Sequence, residues 1–261
     1  MDFVIAIPTL NRQTSVAKKT LACLRHEGFL PSQIYLFVAS SDQENLYKQE
    51  VPTNLYNSIV VGELGIANQR NFINHFFSEG TKILCIDDDI RSFKRARGFE
   101  NLHLPNFISW MFDYCQDQNS ILFGFMAASN PLFFKPQIRN TLQLICGSCY
   151  GIISDHSIKA QGLCKEDYWL SFEAYRKTKN LIRVEFCSPV TTYWHGSGGL
   201  VDTRTFEIEL QASKDLHANF PEFIKEVYTK KNGRPDLKLS RNFTKTISPV
   251  TCQNYDVLLC Q

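Results

Sequence analysis

Short apolar runs alternate with amphipathic segments along the first two thirds of the chain. Apolar runs that end in turn residues predict strands, whereas apolar residues spaced three or four positions apart predict helices. The predicted strands cover residues 3–8, 34–39, 58–61, 83–86, 121–127, 149–153 and 183–187, and the predicted helices cover 14–27, 66–77, 104–116 and 165–178. Strands that alternate with helices predict an α/β fold in which a mixed, mostly parallel sheet is flanked by helices.

The pattern changes after Trp194, where Gly196, Gly198 and Gly199 predict a flexible loop. A basic stretch, KKNGRPDLKLSR, follows at 230–241. The sequence has no internal repeat or low-complexity linker, so a single domain is the simplest organisation. We therefore predict an α/β domain over 1–195 and a C-terminal extension over 196–261 that packs on the same domain.

The composition is that of a globular protein with a substantial core, because 44% of the residues are hydrophobic. The formal net charge is only +2, so bulk charge does not indicate a nucleic-acid-binding protein. The first apolar run has no basic residues before it and no small-residue cleavage site. No run reaches the roughly 18 apolar residues of a membrane span. We therefore expect a cytoplasmic protein without a membrane partner.

The sequence contains nine cysteines, and several, such as Cys85 and Cys187, lie inside apolar runs. This placement favours buried, reduced thiols over a disulfide framework. A zinc site at Cys146 and Cys149 is the alternative, but no second cysteine or histidine pair follows at a suitable spacing.

Three consecutive carboxylates, Asp87, Asp88 and Asp89, follow the apolar segment ILCI. They are predicted to lie at the carboxyl end of a strand, where open α/β sheets bind ligands. Alternation along a strand predicts Asp87 and Asp89 on one side and Asp88 on the other. Adjacent carboxylates repel one another unless a cation lies among them, so we expect a hard divalent ion shared with phosphates. A solvated acidic turn is the alternative.

Two further segments, AIPTLNR at 6–12 and GIANQRN at 65–71, combine a strand end or a helix start with polar side chains. After the first strand, Pro8 and Thr9 leave backbone groups free to contact a flat base. In the second segment, Arg70 lies in the first turn of a helix and is predicted to contact a base or a phosphate. An ordinary strand end and an exposed helix arginine are the alternatives.

Taken in order, these segments resemble the inverting GT-A glycosyltransferases, especially the broad family 2 type. The pattern of that family is P-T-x-N-R after the first strand, then G-x-A-x-x-R-N, a strand that ends in D-x-D, and an E-D pair that opens a helix. The chain matches at 8–12, 65–71, 87–89 and 166–167, and the resemblance covers roughly residues 3–175. It implies a GT-A, Rossmann-like fold and metal-dependent sugar transfer from a nucleoside-diphosphate sugar, with a UDP-sugar as the expected donor.

The resemblance also implies roles for the matching residues. Binding of the nucleotide sugar falls to Pro8, Thr9, Asn11, Arg12, Arg70, Asp87 and Asp88. Asp89 is expected to bind Mn²⁺ or Mg²⁺. Asp167 is expected to be the general base that deprotonates the acceptor hydroxyl, with Glu166 orienting it. Acidic residues also commonly open helices because the helix dipole favours them there, and this is the alternative for the Glu166–Asp167 pair.

The second strand departs from the family pattern. Family members usually carry an acidic residue at its end, whereas here the strand ends in Ala39, Ser40 and Ser41 and is followed by Asp42. Asp42 is therefore the candidate base contact. Beyond the core, His195 precedes the glycine-rich loop and is a candidate metal ligand, as GT-A enzymes often have; a structural histidine is the alternative.

Basic and aromatic residues suggest where an acceptor binds. Arg91 and Arg95, soon after the carboxylates, and Trp194 are predicted acceptor contacts. The C-terminal stretch adds side chains that suit phosphates and bases, namely Tyr228, Lys230, Lys231, Arg234, Lys238, Arg241, Phe243 and Lys245. The small, cysteine-rich chain also looks like phage and large-virus GT-A enzymes similar to TET-associated glycosyltransferases. A 5-hydroxymethylpyrimidine in DNA is therefore the leading acceptor hypothesis, and DNA is a candidate partner.

Alternatives remain open for the acceptor and for the activity. The basic runs suit solvated surface equally well, and a glycan, lipid or protein is the alternative acceptor. A nucleotidyltransferase also gathers carboxylates around Mg²⁺, but the segment PTLNRQTS lacks the glycine-rich phosphate loop that it would need. A nucleotide-sugar-binding or DNA-binding module without turnover is the alternative from another class.

Overall fold

The structure is a computed structural model that describes residues 2–191, 205–241, 243 and 245–250. Nine strands of the described chain form one central sheet. They are β1 (Phe3–Pro8), β2 (Ile34–Val38), β3 (Ser58–Val61), β4 (Lys82–Ile86), β6 (Leu122–Phe125), β7 (Gln137–Asn140), β8 (Cys149–Ile153), β9 (Ile182–Val184) and β13 (Thr246–Pro249). Their order across the sheet is β13-β7-β9-β6-β8-β4-β1-β2-β3.

The sheet combines parallel and antiparallel strand pairs. β1 pairs in parallel with β2 and β4, β2 with β3, and β6 with β9. β8 is antiparallel to both β4 and β6, and β7 is antiparallel to both β9 and β13. Seven of the nine strands therefore point one way and β7 and β8 point the other. This arrangement confirms the predicted mixed, mostly parallel sheet.

Helices cover both faces of the sheet. The first helix is continuous and consists of α1 (Gln13–Val16), a π-helical turn (Ala17–Leu21) and α2 (Ala22–His26). The other helices are α3 (Ser41–Glu50), α4 (Ile66–Phe76), α5 (Leu104–Asp117), α6 (Glu166–Thr178) and α7 (Phe206–Asn219). No helix of the described chain combines the length and the apolar character that crossing a membrane requires.

Two hydrophobic cores lie on opposite faces of the sheet because successive strand residues point in opposite directions. Ile5 and Ile7 belong to the first core with Leu24 of α2 and Phe112 of α5. Ala6 belongs to the second core, which also contains buried side chains from α4, α6 and α7, namely Ile73, Phe172 and Leu216. The two cores fix β1 and β4 side by side at the centre of the molecule.

The predicted strands 3–8, 58–61 and 149–153 are confirmed residue for residue. The predicted strand near 183–187 is found in part, because β9 (Ile182–Val184) covers its start and the chain leaves the central sheet after Val184. Glu185 turns inward and binds Arg183 and Arg139, and the next strand, β10 (Cys187–Val190), pairs antiparallel with β5 (Ser92–Arg95).

The C-terminal segment is built into the fold. A hairpin of β11 (Ile224–Thr229) and β12 (Pro235–Leu239) follows α7, and β13 pairs with β7 at the margin of the central sheet. Phe243 packs against Tyr175 and Phe223 in the second core. The basic stretch 230–241 thus covers the turn and second strand of a hairpin, and the Phe243 ring is partly buried against the second core.

Candidate active site

Most of the predicted site residues meet at one edge of the sheet, where β1 and β4 end. Thr9 and Arg12 follow β1, and the triplet Asp87 to Asp89 follows β4. Because β8 runs antiparallel to β4, its first residue, Cys149, lies opposite Ile86 at the same edge. The loop before β8 therefore also reaches the site, and the Asp87 backbone N–H donates to the Ser148 carbonyl over 3.0 Å.

Asp88 is held by residues that follow β1. The Thr9 hydroxyl donates to Asp88 Oδ2 over 2.7 Å, and Arg12 Nη1 donates to Asp88 Oδ1 over 3.0 Å. The Tyr47 hydroxyl of α3 lies 2.6 Å from Thr9 Oγ1 and accepts the Arg12 backbone N–H over 3.0 Å. Burial raises the pKa of Asp88, while the Arg12 charge and the Thr9 hydrogen bond oppose that rise.

Arg70 lies behind the triplet and connects it to α6. Its side chain is 4% exposed. Nε donates to Glu166 Oε1 over 3.1 Å, and Nη1 donates to the Tyr150 hydroxyl over 3.1 Å. Nη2 donates to the Gly147 carbonyl over 3.0 Å and to Asp87 Oδ1 over 3.4 Å. Arg70 is thus neither the exposed helix arginine of the alternative interpretation nor a group directed freely at a ligand.

Asp87 lies beside Arg70. Protein surrounds most of the side chain, although 36% of its surface is exposed to solvent. This burial raises the pKa of Asp87 to about 7, with Arg70 opposing the rise and the charges of Asp89 and Asp88 adding to it. Asp87 therefore exchanges a proton near neutral pH.

Asp89 departs from the predicted alternation because β4 ends at Ile86 and the next residues form a turn. Its Oδ2 lies 4.0 Å from Nη1 of Arg12, the partner of Asp88, and its Oδ1 accepts the Thr191 hydroxyl over 2.5 Å. The expectation that Asp87 and Asp89 share a side is therefore wrong. The repulsion within the triplet is offset by Arg12 and Arg70, which sequence analysis did not place among these carboxylates.

Glu166 and Asp167 open α6. Glu166 is buried against Arg70, whereas Asp167 accepts two backbone N–H groups, Gly147 to Oδ2 over 2.9 Å and Tyr168 to Oδ1 over 3.0 Å. Burial raises the pKa of Asp167 to about 6, and the neighbouring Glu166 charge adds to the rise. The carboxylate form of Asp167 therefore dominates at pH 7.

Gly147 joins the two halves of the site through its backbone, because its carbonyl binds Arg70 and its N–H binds Asp167. A Cβ at this position would lie 2.7 Å from Arg70 Nη2 and 3.2 Å from Asp167 Cβ. Side-chain atoms do not fit at these distances without displacing a neighbour. The position therefore requires glycine for close approach.

The remaining predicted nucleotide contacts lie around the end of β1. Pro8 is buried as the last residue of β1. Asn11 is exposed, has a left-handed φ of 55°, and exchanges two hydrogen bonds with Gln43. Asp42 is exposed in the first turn of α3. In this segment the hydrogen bonds to the loop after β1 come from Gln43 and Tyr47.

Of the predicted acceptor residues, Arg91 and Arg95 lie in described parts of the chain and differ in what they contact. Arg91 is exposed at the start of the β5 segment, and its backbone N–H donates to the Val190 carbonyl. The Arg95 guanidinium is bound to Glu27 and to the Leu102 and Phe93 carbonyls, so its charge has a structural use. Trp194 and the candidate metal ligand His195 lie outside the described residues.

Several site residues were missed by sequence analysis: Thr20, Gln43, Tyr47, Gly147, Tyr150 and Thr191. One available signal was the S-x-x-Q pattern of Ser40 to Gln43, which predicts a helix start. The Ser40 side chain indeed accepts the Gln43 N–H at the start of α3. The loop before β8 carried no comparable signal, because its position depends on β8 running antiparallel to β4.

The site suits a divalent cation that is bound by few protein ligands together with phosphates and water. The described residues contain no group of three His, Cys, Asp or Glu side chains arranged to hold an ion. Magnesium-like ions are also bound by one or two carboxylates together with substrate phosphates and water. The cluster supplies the required charge, with three more carboxylates than guanidinium groups among Arg12, Arg70, Asp87, Asp88, Asp89, Glu166 and Asp167.

All seven cysteines in the described ranges are free thiols. The described chain also offers no zinc cluster at Cys146 and Cys149. Cys149 is buried as the first residue of β8, and burial raises its thiol pKa well above the usual range.

No protein-family model and no curated protein sequence matches the chain. Among solved structures, the chain is similar to S. aureus TarS in complex with UDP, with 16% identity and a TM-score of 0.51 over 83% of this chain and 66% of that one. The chain thus spans just under two thirds of the TarS structure.

A second similar structure is glucosyl-3-phosphoglycerate synthase from Mycobacterium tuberculosis in complex with Mn²⁺ and UDP-glucose. Its identity to the chain is 10% and the TM-score is 0.52, over 95% of this chain and 87% of that one. At these identities the similarity concerns the fold. The described chain has the mixed α/β architecture of GT-A glycosyltransferases, with its carboxylate cluster at the carboxyl edge of the central parallel strands.

Proposed function

We propose that the protein is a metal-dependent glycosyltransferase that moves a sugar from a nucleoside-diphosphate sugar to an acceptor hydroxyl. One observation carries the proposal: on a GT-A fold, Asp87 at the start of the aspartate triplet and Asp167 lie in one hydrogen-bonded network, connected through Arg70 and Gly147. The structures similar to the chain include complexes with UDP and UDP-glucose. These complexes support a UDP-sugar as the first donor to test.

The donor is proposed to bind at the ends of β1 and β4. Pro8, Thr9, Asn11 and Arg12 form the loop beside the triplet, and the exposed amide pair of Asn11 and Gln43 offers hydrogen-bonding groups for a base. Asp87 and Asp88 are proposed to lie against the ribose and phosphate. Asp42, exposed on α3, remains the predicted acidic contact in this region.

Asp89 is the proposed protein ligand of Mn²⁺ or Mg²⁺, since it has the weaker contact with Arg12 of the two aspartates that face that side chain. His195 remains a predicted further ligand. When bound, the ion would offset the negative charge that develops on the departing diphosphate.

Asp167 is the proposed general base. Its two backbone hydrogen bonds fix the carboxylate, and a pKa of about 6 leaves it ionised at pH 7 yet basic enough to take a proton. Arg70 holds Glu166 and Asp87 on either side, so the base and the donor site share one support. Attack by the deprotonated hydroxyl on the anomeric carbon would expel the nucleoside diphosphate with inversion.

The proposed acceptor is a compound that carries a free hydroxyl group. The hypothesis of a 5-hydroxymethylpyrimidine in DNA is supported by exposed Arg91, Lys94 and Arg97 soon after the triplet. Ion pairs of Lys230 with Asp236 and of Lys238 with Glu226 reduce the support from the hairpin. A glycan, lipid or protein acceptor therefore belongs in the same assay.

For the domain organisation, we propose one catalytic α/β domain over 1–195 with the extension 196–261 packed on it. The support is β13, which pairs within the central sheet, and Leu216 of α7 in the second core.

The decisive experiment is a panel of UDP- and GDP-sugars with Mn²⁺, measured by release of the nucleoside diphosphate. Each donor is combined with hydroxymethylated DNA, glycans, lipids and protein. Release of a nucleoside diphosphate with a glycosylated acceptor supports the proposal, whereas transfer of a nucleoside monophosphate with release of a sugar 1-phosphate supports a nucleotidyltransferase.

The variant Asp167→Asn separates an enzyme from a binding module. We expect transfer to fall by about 10²- to 10⁴-fold, the usual contribution of a general base, with UDP affinity kept. Asp117→Asn, at the far end of α5, is the control and should transfer like the wild type. Unchanged transfer by Asp167→Asn would contradict its role as the base.

A further inference from the structure

The helix that follows β1 contains a π-helical turn, Ala17–Leu21. Such turns break the regular hydrogen-bond pattern of an α-helix and are frequent at functional sites. This turn carries Thr20, whose side chain is completely buried. The π-helical turn thus brings a hydroxyl group beneath the strand end where the aspartate triplet begins.

The Thr20 hydroxyl contacts the backbone at the first residue of the triplet and at the residue that follows the triplet. It donates to the Asp87 carbonyl over 2.7 Å and accepts the Ile90 backbone N–H over 3.0 Å. These backbone groups lie beyond β4, where sheet hydrogen bonds no longer hold the chain. Ile90 is fully buried. Without the Thr20 hydroxyl, the Ile90 N–H would therefore lose a hydrogen bond that water cannot easily replace.

The other backbone contacts of this segment lie at its flanks. The Asp87 N–H donates to the Ser148 carbonyl, and the Arg91 N–H donates to the Val190 carbonyl. Between them, the turn through Asp88 and Asp89 is closed by the two hydrogen bonds of Thr20. Thr9 and Arg12 also fix the Asp88 carboxylate, whereas the Asp89 carboxylate depends on this turn and on the hydrogen bond from the Thr191 hydroxyl.

We infer that Thr20 is a positioning residue that sets the backbone of Asp87 to Ile90, so that Asp89 is directed toward the metal and diphosphate of the donor. The part of the inference that concerns the ligand rests on the proposed function. The part that concerns the turn stands on the two hydrogen bonds of the hydroxyl alone.

The test compares three variants. Thr20→Val keeps the shape of the side chain and removes both hydrogen bonds, whereas Thr20→Ser keeps the hydroxyl. The matched control is Thr178→Val at the opposite end of α6. The Thr178 hydroxyl likewise lies within hydrogen-bond distance of backbone carbonyls, those of Ala174 and Asn180, between which it shares its one proton, and it accepts the Asn180 N–H.

The first measurement is hydrogen exchange of the peptide that contains Ile90. We expect exchange of the Ile90 amide to be at least about tenfold faster in Thr20→Val, the effect of losing a buried hydrogen bond. Thr20→Ser and Thr178→Val should exchange like the wild type at this amide. Unchanged exchange in Thr20→Val would overturn the inference.

The second measurement is the affinity for UDP, titrated by calorimetry with and without Mn²⁺. We expect Thr20→Val to weaken the Mn²⁺-dependent affinity by about three- to tenfold, with Thr20→Ser restoring it and Thr178→Val unaffected. A similar loss in Thr178→Val would show that general destabilisation is the cause and would overturn the positioning role. A wild type that binds neither UDP nor GDP contradicts the proposed function instead, and the exchange at Ile90 then decides the role of Thr20 in the turn.

Discussion

Two groups of basic residues near the carboxyl edge of the sheet differ in what they contact. Arg12 and Arg70 point into the carboxylate cluster, where each binds at least one predicted site residue. Arg91 is exposed, and Arg95 is bound to Glu27 away from that cluster. The first pair belongs to motifs in which the surrounding residues fix the position of the arginine. The second pair, Arg91 and Arg95, belongs to a run of basic residues. Such a run predicts positive charge in this segment but does not predict which residue or ligand each side chain contacts.

The largest effect is expected for Arg70→Met. This change leaves Glu166 and Asp87 without the guanidinium between them, and losing one partner of a buried ion pair costs about 3–5 kcal/mol of unfolding free energy. Chemical denaturation measures the loss. The control is Arg176→Met, an exposed arginine paired with Glu222, which should cost about 1 kcal/mol or less. Equal losses would remove the distinction between buried and surface arginines.

Gly147→Ala tests whether the backbone connection between Arg70 and Asp167 matters. The added methyl group would overlap Arg70, so we expect a loss of about 1–3 kcal/mol together with weaker UDP binding and slower transfer. Gly80→Ala is the control, because a Cβ there would contact no neighbouring atom. The φ of 84° at this position still makes alanine unfavourable by about 1–2 kcal/mol, so the control also loses stability, but without a change at the site. Only Gly147→Ala should change UDP binding.

The pH dependence of stability tests how much of the repulsion among the carboxylates is left uncompensated by Arg12 and Arg70. Asp87 and Asp167 have raised pKa values of about 7 and about 6 in the folded protein, against an ordinary value of 3.8. At pH values between the ordinary pKa and the raised pKa, the folded state keeps protons that the unfolded state has released. The contribution of both groups to stability therefore falls as pH rises from about 4 to about 7 and is constant above that.

Unfolding of the wild type and of Asp87→Asn, followed from pH 4 to pH 8, measures this contribution. The variant should gain stability relative to the wild type as pH rises, with the difference levelling off above about pH 7. A difference between the two proteins that does not change with pH would mean that Asp87 has an ordinary pKa.

The smallest effect is expected for the double variant Lys94→Ala and Arg97→Ala. Both side chains are exposed, so stability should change by no more than about 0.5 kcal/mol and UDP affinity should be kept. Transfer to hydroxymethylated DNA, if the wild type performs it, should fall and should become less sensitive to salt. Unchanged transfer to DNA would remove these residues from the acceptor site.

Sequence analysis predicted the elements whose signal is local. The strand from Phe3 to Pro8 and the helix after Gly65 depend on residues close together in the chain, and both were found. The position of Asp89 was wrong because alternation holds only within a strand, and β4 ends before the triplet. Tyr47 and Gly147 were missed because their partners lie 38 and 77 positions away along the chain. Such contacts depend on how the strands are ordered.

The strand β13 completes the margin of the central sheet, where it pairs with β7 and covers a row of backbone groups on that strand. A shortened version that stopped before Thr246 would leave this row bare, and uncovered strand edges promote pairing between molecules. Fragments made for crystallisation or expression should therefore retain β13, because its loss would show first as aggregation and only secondarily as weaker activity.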